Sequence, residues 1–299
     1  MPGLVGYAKA KNVGLLVWLN WEAVREQMDV AFPIYQKWGL AGVKIDYMDR
    51  KDQEIVAFYQ RATRTAAKYH LAVDFHGAYA GSGEERTFPN WLTREGVMGL
   101  EYCKWSDRAT PRHNVTIPFT RMLTGPMDYT PGGFRNVTAT DFAPRNELPL
   151  VMTSRAHQLA MYVVYDSPLQ MLADTPSAYR GEPGSELLKA VPASWDETRV
   201  LDGKIGEYVV IARRHGSDWF VGAMTDQARK VAIPLGFLGS RVYDATIYTD
   251  TGDTAKNPTR LAVLPARLEA KGSRPLELSL AAGGGAVLQL RPVSSPARR

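Results

Sequence analysis

The sequence predicts a (β/α)8 barrel lacking its first two strands over residues 1–193, then an antiparallel β-sandwich over residues 194–299. Two observations carry this. Apolar runs starting at residues 14, 42 and 71 alternate with amphipathic helical patterns at the pitch of a βα unit, which predicts parallel strands joined by right-handed crossovers. Near Ser194 that rhythm stops, and short β segments follow, separated by turn residues with no helical pattern between them.

In order, Gly14–Asn20 reads as the first buried strand and Glu22–Trp38 as a helix with Val24, Met28, Phe32 and Tyr35 on one face. Gly42–Met48 is the second strand, and Asp52–Tyr69 the next helix, with Ile55, Phe58, Tyr59 and Ala62 at three-to-four spacing. Leu71–Gly77 is the third strand. Asn90–Glu95 and Gly96–Tyr102 compete for the fourth, a fifth lies near Gly125–Thr130, and helix Leu150–Tyr165 precedes a sixth at Ser167–Asp174. Six strands of eight leave two to be supplied from before Met1. The opening residues read as a helix already under way, which predicts a chain cut inside a larger protein. Beyond Ser194, β segments are expected at Gly206–Ala212, Asp218–Met224, Lys230–Pro234, Arg241–Tyr248 and Gly285–Leu290, with a frayed tail over Val293–Arg299.

Composition narrows the function. Hydrophobic content of 45% and charged content of 22% fit a globular protein. The net charge of +5 comes from scattered Lys and Arg with no basic run interleaved with aromatics, so nucleic acid is not an expected partner. No apolar run approaches the ~20 residues of a helical membrane span. Cys103 is the single cysteine, which excludes an intrachain disulfide, a zinc knuckle and a CxxC redox pair.

The polar residues cluster at strand ends. Side chains alternate along a strand, so Lys44 and Asp46 share one face of theirs, and Asp74 and His76 share one face of the next. Burying these groups costs several kcal/mol each unless they are paired, and the C-terminal ends of barrel strands are where such enzymes keep their sites. Asp46 ends a strand, and Glu101 follows about two βα repeats later, so both carboxyls can reach one barrel mouth. Two carboxyls facing one substrate suit glycosidic bond cleavage. A strand-ending Asp is also a common helix cap or turn residue, and Asp74 suits buried pairing as well as chemistry. Glu95 and Glu101 flank a glycine-containing segment and suit a hard cation. Glu84–Arg86 reads as a solvated charge run. Trp18 and Trp105 fit either core positions or sugar-stacking platforms.

Four pieces, GVKIDYM at Gly42–Met48, VDFHG at Val73–Gly77, RTFPNWLTREGVMGLEY at Arg86–Tyr102 and HNVTIPFTRMLTGPMDYTP at His113–Pro131, resemble glycoside hydrolase family 97. The resemblance implies an N-terminal β-sandwich, a (β/α)8 barrel and a C-terminal β-sandwich, of which this sequence carries the later part. It implies a retaining, exo-acting enzyme of the α-galactosidase-like branch, with Asp46 as nucleophile and Glu101 as acid/base. The inverting branch carries a base glutamate directly after the histidine matched by His76, and here that position is Gly77. The resemblance also implies calcium held partly by Glu95 and Glu101, and substrate contacts from Lys44, Asp74 and His76. Its expected partner is an α-linked oligosaccharide, a homo-oligomer is left open, and the implied location is bacterial periplasmic or secreted. The alternatives are an α-glucosidase of the same family, an inactive remnant with a carbohydrate-binding or oligomerisation role, and another metal-dependent barrel hydrolase.

Overall fold

The computed structural model describes residues 1–269 and 274–293, so most of the tail expected to fray lies outside the described residues. The chain divides into two compact units. The first comprises 1–97 with 121–128 and 167–169, and the second comprises 98–120, 129–166 and 170–299.

The first unit opens with α1 (Pro2–Ala10) and holds a four-stranded sheet in the order β1 (Leu16–Asn20), β2 (Gly42–Asp46), β3 (Ala72–Phe75), β4 (Trp91–Arg94). The strands run parallel, as the βα rhythm requires, with Trp18 opposite Lys44 and Lys44 opposite Asp74. Between β1 and β2 runs α2 (Trp21–Trp38). Asn20 ends the strand and caps this helix at once, its Oδ1 accepting from Glu22 N at 2.8 Å. Gly39, at φ 84, stops the helix in the left-handed conformation that glycine adopts without a Cβ clash. Helix α3 (Gln53–Lys68) begins the same way, with Asp52 Oδ1 accepting from Ile55 N at 3.2 Å.

Alternation along the strands sorts the side chains. Val43, Ile45, Val73 and Phe75 are fully buried in a core with Met28, Phe32, Ile55, Tyr59 and Trp91 from the helices and β4. Each such residue contributes roughly 1.5–3 kcal/mol by leaving water. Their neighbours Lys44, Asp46 and Asp74 project to the other face.

Two expected strands do not form. Residues 125–130 are irregular: Pro126 has no N–H to donate, and Thr130 at φ 57 leaves the extended region. One strand-like bond survives, Asp128 N to Arg94 O at 2.8 Å, and it fastens this segment beside the end of β4. Residues 167–174 are also irregular. Pro168 interrupts them, and Ser167 Oγ donates to Thr93 Oγ1 at 3.0 Å, docking the segment by a side chain instead of a ladder. Of the two candidates for the fourth strand, the one holding Trp91–Arg94 forms. Gly96, at φ 51, turns the chain out of the sheet, and Leu100–Lys104 becomes a 3₁₀ turn.

The second unit has α4 (Pro111–Thr116), α5 (Arg155–Val164), α6 (Pro176–Tyr179) and α7 (Ser185–Ala190). Helix α5 starts later than its apolar pattern suggested, because Ser154 caps it through a bond from His157 N at 3.1 Å. A six-stranded antiparallel sheet follows in the order β10 (Ala262–Glu269), β9 (Val242–Thr249), β12 (Gly285–Pro292), β7 (Asp218–Thr225), β6 (Tyr208–His215), β5 (Glu197–Lys204). A hairpin-like pair, β8 (Arg229–Ile233) and β11 (Leu276–Leu280), shares one apolar core with one face of that sheet, through Val231, Ile233 and Leu280 against Val221, Ile247 and Leu288. The other face carries α5, whose residues are all buried, and Gly222 of β7 lets Ala160 and Val163 approach closely. All five β segments expected here form. Strands β5, β10 and β11 are additional; the charges of β5 and the proline of β10 hide those two.

Candidate active site

In the first unit, the C-terminal ends of β2 and β3 bring together Lys44, Asp74 and His76, three of the residues singled out from sequence. A fourth, Asp128, arrives from the 121–128 segment, where an irregular stretch follows a 3₁₀ turn at Arg121–Thr124. Lys44 Nζ lies 2.8 Å from Asp128 Oδ2 and 3.2 Å from Asp74 Oδ2. His76 Nε2 lies 2.6 Å from the same Asp128 oxygen. Asp74 and Asp128 are buried almost completely, so the two cations supply the compensation their burial requires.

The protonation balance follows from these contacts. Burial of Lys44 works against its charge, but Asp74 and Asp128 outweigh that and hold its pKa above the ordinary value. Burial opposes the imidazolium of His76 too, yet its hydrogen bond to Asp128 and the nearby carboxylates raise its pKa. Burial alone would raise Asp128, whereas His76 and Lys44 together pull it well below the carboxylate range. Asp74 goes the other way, pushed up first by burial and then by the charge of Asp128. Asp128, in contact with both Lys44 and His76, is the hub of the cluster.

Asp46 ends β2 two positions beyond Lys44, on the same face. Its Oδ2 accepts from Trp18 Nε1 at 3.0 Å and its Oδ1 from the following amide, Tyr47 N, at 2.6 Å. Trp18 and Tyr47 meet edge to face, 5.6 Å between centroids, and both are more than half exposed, so Trp18 is not a core residue. Trp105, in the second unit, is exposed as well. Tyr47 and Asp49 adopt positive φ, 69° and 46°, which is uncommon for a bulky residue and concentrates backbone strain beside Asp46.

Gly77 follows His76 at φ 55, and a Cβ there would meet Tyr47 N at 3.0 Å and Asp49 Oδ1 at 2.9 Å. Its own N–H donates to Glu95 Oε2 at 2.9 Å, and its carbonyl accepts from Asp49 N at 2.7 Å, stitching the strand ends together. Glu95 Oε2 is also 3.7 Å from His76 Nδ1, so each ring nitrogen of His76 faces a carboxylate.

Glu101 belongs to the second unit, in the 3₁₀ turn, where Lys104 Nζ reaches its Oε1 at 3.0 Å. The carboxylate oxygens of Glu95, 17% exposed, are hard donors of the kind calcium takes. Asp74, His76 and Asp128 also converge closely enough for a metal, but the Lys44 ammonium already sits against both carboxylates of that set. Glu84 and Glu85 are not a solvated run. Arg94, itself buried, reaches Glu84 at 2.7 Å and Glu85 at 3.6 Å, and burial of Glu84 is outweighed by Tyr79, backbone N–H groups and Arg94, which hold it down at about 2. The sequence places Asp128 in the expected fifth strand, with no role for it at the site, and marks no role for Arg94 and Arg121. The cue was GPMD at Gly125–Asp128, a turn sequence delivering one acid to a strand end.

Comparison with known proteins identifies the family. Residues 1–97 match the profile described as Glycoside hydrolase 97, and residues 194–291 match Glycosyl-hydrolase 97 C-terminal, oligomerisation. A retaining alpha-galactosidase of Bacteroides thetaiotaomicron is 42% identical over 294 residues, covering 96% of this chain and 44% of that protein. A probable retaining alpha-galactosidase of Streptomyces bingchenggensis is 34% identical, covering 95% of this chain and 42% of that protein. A solved glycoside hydrolase family 97 enzyme from Pseudoalteromonas sp. strain K8, in complex with panose, superposes with a TM-score of 0.88 at 32% identity, over 98% of this chain and 49% of its own. The chain thus spans under half the length of each of these relatives. With both of its matched segments in one family and that family's enzymes alike in sequence and fold, the chain belongs to glycoside hydrolase family 97.

Proposed function

We propose that this chain carries the later part of a retaining, exo-acting α-galactosidase active site, with Asp46 as nucleophile and Glu101 as acid/base. The observation that carries the retaining reading is Gly77. An inverting relative needs a base glutamate after the histidine, and at φ 55, with Tyr47 and Asp49 in contact distance of any Cβ, this position has no room for one. The names of the two curated relatives point the same way.

The four parallel strands of the first unit are read as part of a (β/α)8 barrel and the strands after Ser194 as a β-sandwich, with the division at residues 193 and 194. Asp46 is held with its carboxylate oriented by Trp18 and Tyr47 N, which suits attack on an anomeric carbon. Attack forms the glycosyl–Asp46 ester while the Glu101 carboxyl gives its proton to the leaving oxygen. Glu101, now ionised, takes a proton from water as that water displaces Asp46 with a second inversion. Lys44, Asp74 and His76 form the polar wall beside the sugar, and the exposed ring of Trp18 offers it an apolar face. Glu95 and Glu101 are the residues that would hold calcium, whose charge stabilises negative charge developing on oxygen. The substrate is an α-linked oligosaccharide, and residues 194–291 are the surface for self-association.

An α-glucosidase is the second reading, favoured by the panose complex of the Pseudoalteromonas relative. Turnover of aryl α-galactosides against aryl α-glucosides separates the two. In a protein spanning the full length of the relatives, Asp46→Gly should lower turnover by several orders of magnitude, and azide should restore part of it with inverted product. Near-normal turnover without azide would remove Asp46 from the mechanism. The same assay on the 299-residue chain decides between a working enzyme and a remnant.

A further inference from the structure

Arg121 is buried, 8% exposed, yet its guanidinium faces no carboxylate at ion-pair distance among the described residues. Its partners are backbone carbonyls from two separate segments. Nη2 donates to Arg94 O at 3.3 Å, Glu95 O at 2.9 Å and Pro126 O at 3.0 Å. Nε donates to Gly96 O at 3.0 Å, and Nη1 to Gly125 O at 3.0 Å and Thr124 Oγ1 at 3.2 Å. A buried cation hydrogen-bonded only to dipoles is costly: burial and then the neighbouring Arg94 bring this guanidinium down to about 10, against the pull of Glu85. A lysine, with three donors on one atom, cannot reach both segments, whereas the planar fork of arginine does.

The two segments share one feature. Residues 94–96 carry Glu95, and residues 125–126 lead directly into Asp128, whose N–H bonds to Arg94 O. Those two acids bracket the ring of His76, Glu95 at Nδ1 and Asp128 at Nε2. We infer that Arg121 is a positioning residue: by tying the 94–96 and 125–126 carbonyls to one rigid fork, it sets the two carboxylates on either side of His76. Among the described residues it makes no hydrogen bond or ion pair to the three side chains and acts through the backbone that carries the two acids. Its bearing on catalysis rests on the glycosidase reading above, but the placement it produces exists whether or not the chain turns over sugar.

The test reads placement directly. The whole chain is labelled with ¹⁵N-histidine, and the ring signals of His76 are assigned by their loss in His76→Gln. In Arg121→Met and in Arg121→Lys, both ring-nitrogen signals of His76 should move by more than their linewidth, while those of His70 and His157 stay in place. Lysine should recover nothing, although it restores the charge. Unchanged His76 signals in a folded Arg121→Met protein would overturn the inference, and so would full recovery by lysine. If neither variant folds, Thr124→Val removes one arm of the same staple, since Thr124 Oγ1 accepts from Arg121 and donates to Ala80 O at 2.7 Å. It should move the same two signals by less, and their constancy there would equally refute the role. Loss of glycosidase activity is not among the readouts, so failure of the functional proposal leaves this result standing.

Discussion

The protein buries a histidine in each of its two units and treats them oppositely. His76, in the first, has a carboxylate against each ring nitrogen and Lys44 nearby. His157, in the second, has no charged partner among the described residues. Its Nδ1 donates to Gly284 O at 2.9 Å, and its Nε2 accepts from Asn114 Nδ2 at 3.4 Å. The amide of Asn114 is oriented by Tyr129, whose hydroxyl donates to Asn114 Oδ1 at 2.6 Å, so this neutral chain of donors and acceptors fixes one tautomer. Burial lowers His157 to about 4, while His76 is raised against its burial. The difference teaches that depth alone does not set charge here. A carbonyl and an amide leave one buried imidazole with its pKa lowered, whereas the aspartates around the other raise it against both burial and the charge of Lys44.

The largest effect should come from breaking the charged cluster. Asp128→Ala leaves Lys44 with Asp74 and His76 with the more distant Glu95, and removing one partner of a buried pair costs about 3–5 kcal/mol. Urea unfolding should show that loss, and a cost under about 1 kcal/mol would mean that water replaces the carboxylate and the cluster is less dry than its exposure implies.

The neutral histidine predicts a pH dependence of defined sign. An unfolded chain protonates His157 near 6.5, but the folded one resists until about 4. Stability contributed at this site is therefore complete above about 6.5 and falls as the solution is acidified to about 4, by about 3 kcal/mol. His76 has the reverse sign, its contribution being complete below about 6.5 and lost as pH rises through its raised value. Unfolding midpoints from pH 7 to pH 4 for the protein and for His157→Asn measure the first slope, which the variant should flatten. An unaltered slope would assign acid sensitivity to the carboxylates instead.

Smaller still is the effect of opening the neutral chain in its middle. Asn114→Ala leaves the Tyr129 hydroxyl and His157 Nε2 without their partner, which should cost about 1–3 kcal/mol and leave the His76 ring signals unmoved. A cost matching that of Asp128→Ala would erase the contrast between charged and neutral burial.

Much of this was legible beforehand because local periodicity is a short-range property. Strands β1 to β3 and helices α2 and α3 form where the apolar spacing put them, and the caps at Asn20 and Asp52 end what the pattern ended. The two missing strands failed because a run of apolar residues says nothing of ladder partners. Pro126, Thr130 and Pro168 remove the N–H groups or the extended backbone that pairing needs. The edge strands β5 and β10 were invisible for the converse reason: with one side open to water, their side chains need no alternation strict enough to read.

For the candidate site, the sequence by itself determined that Lys44 and Asp46 share one face while Val43 and Ile45 take the other, because the two-residue period of a strand admits nothing else. It determined too that the residue after His76 bears no side chain. Only the tertiary structure decided that Asp128, 84 positions beyond Lys44, would become the counter-ion of both Lys44 and His76, and that Arg121 would hold it there through carbonyls. The physical reason is that electrostatic compensation depends on distance in space, and an irregular segment between two turns carries no period from which that distance can be computed.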